Sequence, residues 1–355
     1  MKNRGHISTL VILAFLATPS LFGQRLKRLI PQDENPEIYT LSVENETAAQ
    51  TARWWVPFLE KMVRGYCFDL YILQLHDRPQ IGDKAVVIDF GGDAHLVQLV
   101  ELAPGATTKW HGYGWEGEPF FFIVQGQGET EYRAMLDGMP TNRYTWKKNS
   151  LLAVPFDHQV RHINKGETPA RMLAITGYGI NLYPYVREEV RGGTERPETR
   201  DARAMLMTRA TYPGHYVEDL REHPVTLREA RGNKTAFFNL MSTVGHRSHR
   251  NVHISEAVGD KCPAHKHDGQ PIFYILKGGG YDIWSQAPDL ETYHAALADG
   301  SAMKAPYTEG TLCGIPPGPH WHQHFSTHPT EHLRYLAIVS RRVMEEKLAP
   351  TEGER

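Results

Sequence analysis

Residues 118–128 and 270–280 of this 355-residue chain are one segment written twice. Glu118-Pro-Phe-Phe-Phe-Ile-Val-Gln-Gly-Gln-Gly128 matches Gln270-Pro-Ile-Phe-Tyr-Ile-Leu-Lys-Gly-Gly-Gly280 position by position, each a β-branched and aromatic run closed by a glycine turn. A second pair of segments follows, Ala153–His162 and Gly314–His324, each a proline turn leading into histidines. Self-similarity over this length restricts the chain to two copies of one β unit in tandem.

The second copy carries two histidine clusters. His265-Lys-His267 precedes its strand, and His320-Trp-His322-Gln-His324 follows a Pro-Pro-Gly turn. Side chains alternate across a strand, so His265 and His267 share one face, and His320, His322 and His324 share another. Imidazole is the commonest ligand for zinc, iron, copper and nickel, and two or three on one concave face hold a divalent ion with positions left open.

At these residues the chain resembles the cupin superfamily. Residues 265–278 match its first motif, a His-x-His pair followed by a strand ending in glycine. Residues 317–322 match its second, a proline turn followed by a histidine. The resemblance implies an all-β fold, two jelly-roll barrels in tandem, with His265, His267 and His322 holding metal in the second. In the commonest cupin pattern a glutamate lies four residues after the second histidine, but here that position is Pro271, preceded by Gln270. The form with Gln nearby and Trp-His-x-His in the second motif looks like the gentisate 1,2-dioxygenase branch, in which three histidines hold ferrous iron. A neutral ligand set leaves a bidentate anionic substrate to supply the negative charge.

The expected activity is therefore that of a mononuclear metal-dependent dioxygenase acting on a small aromatic or carboxylated molecule. Iron(II) is the first choice of metal, and manganese, nickel, copper or zinc also suit imidazole. His324, Gln270 and Tyr274 are candidates for orienting ligands or substrate, and Arg250 for a cationic rim that attracts a carboxylate. Two other readings stand beside this one. Oxalate decarboxylases are also bicupins, although they resemble a three-His-plus-Glu pattern; a non-enzymatic ligand-binding or storage bicupin is the third.

The first copy is chemically poorer. Val160 falls opposite His322, and Tyr113 stands where a second histidine would be. The expectation is a barrel without tightly bound metal; the alternative is a remodelled site of His111, Glu118 and either His158 or His162.

Composition and segment character bound the rest. A hydrophobic content of 41% supports two cores, and a formal charge of -2 gives no sign of a nucleic-acid surface. Lys2 and Arg4 before the apolar run 10–17 read as a secretory signal over residues 1–23, hence a periplasmic or secreted protein with no membrane contact once the signal is cleaved. An extension follows at 24–84, with a helix expected over Glu46–Arg64 from the spacing of Trp54, Trp55, Phe58, Leu59 and Met62. The first barrel is placed at 85–186, a charged linker at 187–230, the metal-binding barrel at 231–342 and a tail at 343–355. Cys67, Cys262 and Cys313 are read as small buried hydrophobes. The expected partner is a small, anionic substrate molecule, with a homo-oligomer left open.

Overall fold

The computed structural model describes residues 37–40, 61–90, 96–111, 119–134, 140–154, 158–176, 215–228, 232–238, 250–259, 261–267, 270–315, 320–327 and 331–340. The expected signal segment, most of the expected helix and the expected C-terminal tail lie outside them. Among the described residues strands dominate, with one helix, Leu290–Asp299.

The repeat in the sequence is a repeat in topology. In the first unit a long sheet runs Asp83–Asp89, Leu96–Leu102, Ala170–Thr176, Phe120–Gln125, Leu151–Ala153. In the second the order is Asn233–Phe238, Arg250–Ala257, Arg334–Ser340, Pro271–Lys277, Thr311–Gly314. Facing these are His158–Asn164, Gln127–Ala134, Asn142–Lys147 in the first unit and His320–Ser326, Gly279–Gln286, Met303–Thr308 in the second. The short strand His265–Lys266 extends the latter sheet by pairing with His320–Ser326. Its counterpart in the first unit is reduced to single bridges, Thr107 to Ile163 and His111 to Val160. The chain is thus all-β, two antiparallel barrels in tandem.

The glycines of the repeated segment have geometric reasons. Gly126 and Gly278 turn the chain at φ 90° and 77°, where a side chain is strained. Two residues later the backbone passes so close to a neighbouring strand that a Cβ on Gly128 would strike the Ile163 carbonyl, and one on Gly280 the Phe325 carbonyl.

The central strands read as unbroken apolar runs because both of their faces are buried. Phe121 and Ile123 point into the first barrel, and Phe273 and Ile275 into the second. Their neighbours Phe120, Phe122, Ile272, Tyr274 and Leu276 face the other way, into one core shared by the two units. At its centre Phe122 and Tyr274, equivalent positions of the repeat, bring their rings within 4.6 Å.

The two units also exchange strands. Cys67–Asp69, which precedes the first barrel, pairs with Thr311–Gly314 of the second; His215–Val217, which precedes the second, pairs with Leu151–Ala153 of the first. Each strap is anchored by a matching backbone bond, Leu70 N–H to the Gly310 carbonyl (3.1 Å) and Leu220 N–H to that of Asn149 (2.9 Å). The chain then returns to its own unit, through His76–Arg78 on one side and Thr226–Arg228 on the other.

Three expectations are corrected by these elements. Within the expected linker, His215–Val217 and Thr226–Arg228 are strands, because the edge of the opposite unit and the strand Asn233–Phe238 supply hydrogen-bond partners that a charged segment alone does not reveal. The end of the expected helix is the strand Lys61–Arg64, which extends the first long sheet by parallel pairing with Asp83–Asp89, with Val63 in the shared core and Arg64 bonded to Asp89 at 2.7 Å. Tertiary pairing overrides the helical spacing there. Finally, Cys67 and Cys313 are not buried thiols but a disulfide, formed across the strap between residues 246 apart in sequence. In the other strap the equivalent pair is Tyr216 and Leu152.

A cross-link closing so long a loop removes entropy from the unfolded chain, worth roughly 2–5 kcal/mol in measured cases. The double variant Cys67→Ser/Cys313→Ser is expected to melt roughly 3–7 °C below the parent by calorimetry. An unchanged midpoint would show that strand pairing alone holds the strap.

Candidate metal centre

The second barrel gathers its histidines by strand register. His265 pairs directly with His322, their rings 4.2 Å apart, and His324 lies two residues further along the same strand and on the same face. One ring nitrogen from each of His265, His322 and His324 lies within 4.8 Å of the others, the single such group of metal-binding side chains among the described residues. His322 and His324 are buried and His265 reaches toward the surface. His267, at the partly exposed rim, has its ring 4.9 Å from His265 and 5.2 Å from His322. The tightest group therefore contains His265 and His322 of the expected ligands and adds His324, whereas His267 stands beside it.

The hydrogen bonds around these rings prepare them as a donor set. His265 Nδ1 is 3.0 Å from the Pro263 carbonyl, which only accepts, so the proton belongs on Nδ1 and Nε2 keeps its lone pair. His322 Nδ1 is 3.4 Å from Asp282 Oδ1, and its buried Nε2 has no hydrogen-bond partner within the protein. His324 Nδ1 faces the Tyr307 hydroxyl oxygen at 3.4 Å; that hydroxyl donates to the Tyr281 carbonyl at 3.0 Å and so accepts from the ring. His265 and His324 are thereby set in the tautomer that offers Nε2, and Asp282 in its ionised form sets His322 the same way. Burial, with His320 nearby, holds His322 down at about 3, and burial with the surrounding histidines holds His324 well below its usual value. Both rings are neutral, as ligation requires.

Behind the rings sits a carboxylate that the sequence motifs did not reveal. Asp282, fully buried on the strand Gly279–Gln286, is the cross-strand partner of His324 and lies 3.4 and 3.6 Å from the Nδ1 atoms of His322 and His324. Its other oxygen accepts from Tyr66 at 2.8 Å. Burial raises its pKa to about 8, against the lowering effect of the Tyr66 hydroxyl, His265 and the backbone N–H groups of Ile283 and Gln323. The signal available in sequence was an aspartate at an inward position of the strand Gly279–Gln286, where the burial alternates.

The remaining candidates fall elsewhere. Tyr274 points into the core between the units, away from the histidines; the residue of that strand which touches the site is Phe273, 4.7 Å from His324. Gln270 is buried with its amide donating to the Phe90 carbonyl of the first unit at 3.4 Å. The Arg250 side chain lies outside the described residues. His253, not among the expected ligands, is buried close enough to His324 to lower its pKa. The Tyr335 ring lies tilted against His324, centroids 4.3 Å apart, and it packs in one cluster with Phe273 and Tyr307.

In the first barrel His111 and His162 lie 5.6 Å apart by ring centre, and His158 stands 5.9 Å from Tyr132. Glu118 is outside the described residues. Burial, and then the Arg78 guanidinium ion-paired with Asp83 at 2.7 Å, lowers the pKa of His111, and burial, His111 and Arg78 in that order lower that of His162; a buried guanidinium opposes a second cation. Val160, in place of His322, bridges His111 across the strands.

No protein-family model matches the sequence, and no curated protein matches it. Among solved structures, the oxalate decarboxylase of Lactobacillus farciminis in its formate complex aligns with a TM-score of 0.49 and 12% identity, over 79% of this chain and 87% of that one. Two variants of the Bacillus subtilis oxalate decarboxylase align with a TM-score of 0.48 and 14% and 13% identity, over 78% of this chain and 77% of theirs. The functional reading rests on the residues of the site.

Cys262 lies beside the centre, its backbone N–H donating to the His324 carbonyl at 2.9 Å, but its thiol is not in the donor group. Burial pushes that thiol up to about 11, so it is neutral and inert. In protein produced in an oxidising compartment, Ellman's reagent is expected to find no thiol in the native state. It should find one per chain after denaturation, and all three cysteines only after reduction. Three thiols without reductant would contradict the disulfide.

Proposed function

We propose that the second barrel is a mononuclear metal centre held by His265, His322 and His324, and that the protein is a metal-dependent enzyme cleaving a carbon–carbon bond of a small carboxylate. The observation that carries this is the convergence of three buried or half-buried imidazoles, His265, His322 and His324, each bringing one ring nitrogen within 4.8 Å of the others. A divalent transition metal bound there would act as a Lewis acid and a template for oxygen donors. The ligand set is neutral, so the site favours an anion that chelates through two oxygens. Phe273, Tyr307 and Tyr335 close the barrel behind the rings, which leaves approach from the side of His265 and His267.

The buried position of His322 and His324 suits a short acid, and decarboxylation of a small dicarboxylate is the first reading. Hydrogen oxalate would give one carbon dioxide and one formate. Dioxygenation of an aromatic acid is the second reading, favoured by the all-imidazole donors. The first barrel serves as structural partner in both, a role supported by Val160 and by the guanidinium beside His111 and His162.

Export of the protein is part of the same proposal. The disulfide supports it, since such bonds persist in oxidising compartments. No helix among the described residues is long and apolar enough to cross a membrane.

Elemental analysis of freshly purified protein is expected to find one transition-metal ion per chain. His265→Ala, His322→Ala and His324→Ala should each lose it, while His267→Ala keeps it. Retention in His324→Ala with loss in His267→Ala would move the third ligand to the rim. With metal present, formate and carbon dioxide from oxalate identify the decarboxylase, and dioxygen uptake with aromatic acids the oxygenase. A protein without metal, or inert to both substrate classes, would overturn the enzymatic reading.

A further inference from the structure

The first barrel shows what the Asp282 position does. The same cross-strand site is occupied there by Thr130, register partner of His162, just as Asp282 is register partner of His324. Thr130 Oγ1 lies 2.8 Å from His162 Nδ1 and accepts from Trp146 Nε1 at 2.9 Å. Trp146 in turn occupies the place of Tyr307 opposite the repeated glycine, Gly128 in one unit and Gly280 in the other. Both barrels therefore back this histidine with a polar side chain from the neighbouring strand. Only the barrel with the three-histidine group uses a carboxylate.

That carboxylate is held from outside its own barrel's sequence. Tyr66 belongs to the N-terminal strap, next to Cys67, and its ring stacks on Trp284 at 5.6 Å. Burial, and then Asp282 itself, raises the Tyr66 pKa well above the usual phenol value, so it remains an O–H donor to Oδ2. With Oδ2 occupied, Oδ1 is turned toward the Nδ1 atoms of His322 and His324. A ring held at Nδ1 is fixed in both tautomer and orientation, and its Nε2 becomes the better donor.

We propose that Asp282 is a positioning residue for the metal centre, that Tyr66 holds it in place, and that part of the centre's metal affinity is thereby built into the strap. This rests on the reading of the second barrel as a metal site. The contribution belongs to this half alone, because Thr130 presents a hydroxyl to His162 and no three-histidine group accompanies it among the described residues.

The test is titration of metal-stripped full-length protein with cobalt(II), following its visible absorption, in the parent, Asp282→Asn and Tyr66→Phe. Asp282→Asn is expected to weaken binding roughly 10–100-fold with the stoichiometry preserved and the absorption band altered. Tyr66→Phe keeps the ring and its stacking and removes one hydroxyl, and should weaken binding about fivefold in the same direction. Should Asp282→Asn fail to fold, Tyr66→Phe decides alone. Parent-like affinity and spectrum in Tyr66→Phe, or in a folded Asp282→Asn, would overturn the role. Failure of the parent itself to bind cobalt would instead overturn the metal reading.

Discussion

Each long sheet ends on a strand whose outer edge is completed by a segment from the start of the other unit, and the rest of the molecule depends on that exchange. An unpaired edge exposes a row of amide and carbonyl groups that must find partners. Here Thr311–Gly314 finds Cys67–Asp69, and Leu151–Ala153 finds His215–Val217. The shared core reinforces the arrangement, since Phe68 and Val217 from the straps lie in it with Phe122 and Tyr274 from the central strands. Neither unit has a complete core or a complete sheet alone, so the two barrels are one cooperative structure joined by a disulfide at one strap and by Tyr216 and Leu152 at the other.

On this duplicated frame a few side chains account for the chemical difference between the halves. His322 replaces Val160, Asp282 replaces Thr130, and Tyr307 replaces Trp146 at matching register positions. The strand His265–Lys266 fills out what in the first unit is a pair of single bridges, and this brings His265 against His322. The surroundings differ in charge as well. The first barrel places a guanidinium near its imidazoles, and the second places a carboxylate behind its own.

How much of this could be read from the sequence follows from which contacts are local. The duplication was legible because the glycines at 126, 128, 278 and 280 are dictated by the turn and by close strand approach, and those constraints recur in both copies. The spacing of His320, His322 and His324 placed them on one face correctly, since period two is a property of any strand. The same rule could not say which face of Pro271–Lys277 looks inward. Both faces are apolar and buried, so the site-facing aromatic, Phe273, and the interface aromatic, Tyr274, are indistinguishable by pattern. His324 entered as an auxiliary, yet its nitrogen sits in the tight donor group; a motif states separation along the chain, and the direct pairing of His265 with His322 is a matter of register. Tyr66 and Asp282 are 216 residues apart and Cys67 and Cys313 are 246, and no local signal reports such contacts.

The missing glutamate of the first motif can be understood in the same terms. A cation among three neutral imidazoles in a buried site lacks compensating charge. The structure sets an aspartate, Asp282, beside the Nδ1 atoms of His322 and His324 and outside the group of three converging ring nitrogens. Were a metal held as proposed, its charge would favour the ionised form of Asp282, which would offset part of that charge through His322 and His324 and leave coordination positions to an incoming anion. A carboxylate among the ligands would compete with that anion for both charge and space. A negative group beside the imidazoles rather than among the ligands would let the protein stabilise a cation and still present it to a chelating acid, and the strap that carries Tyr66 bonds that group at 2.8 Å.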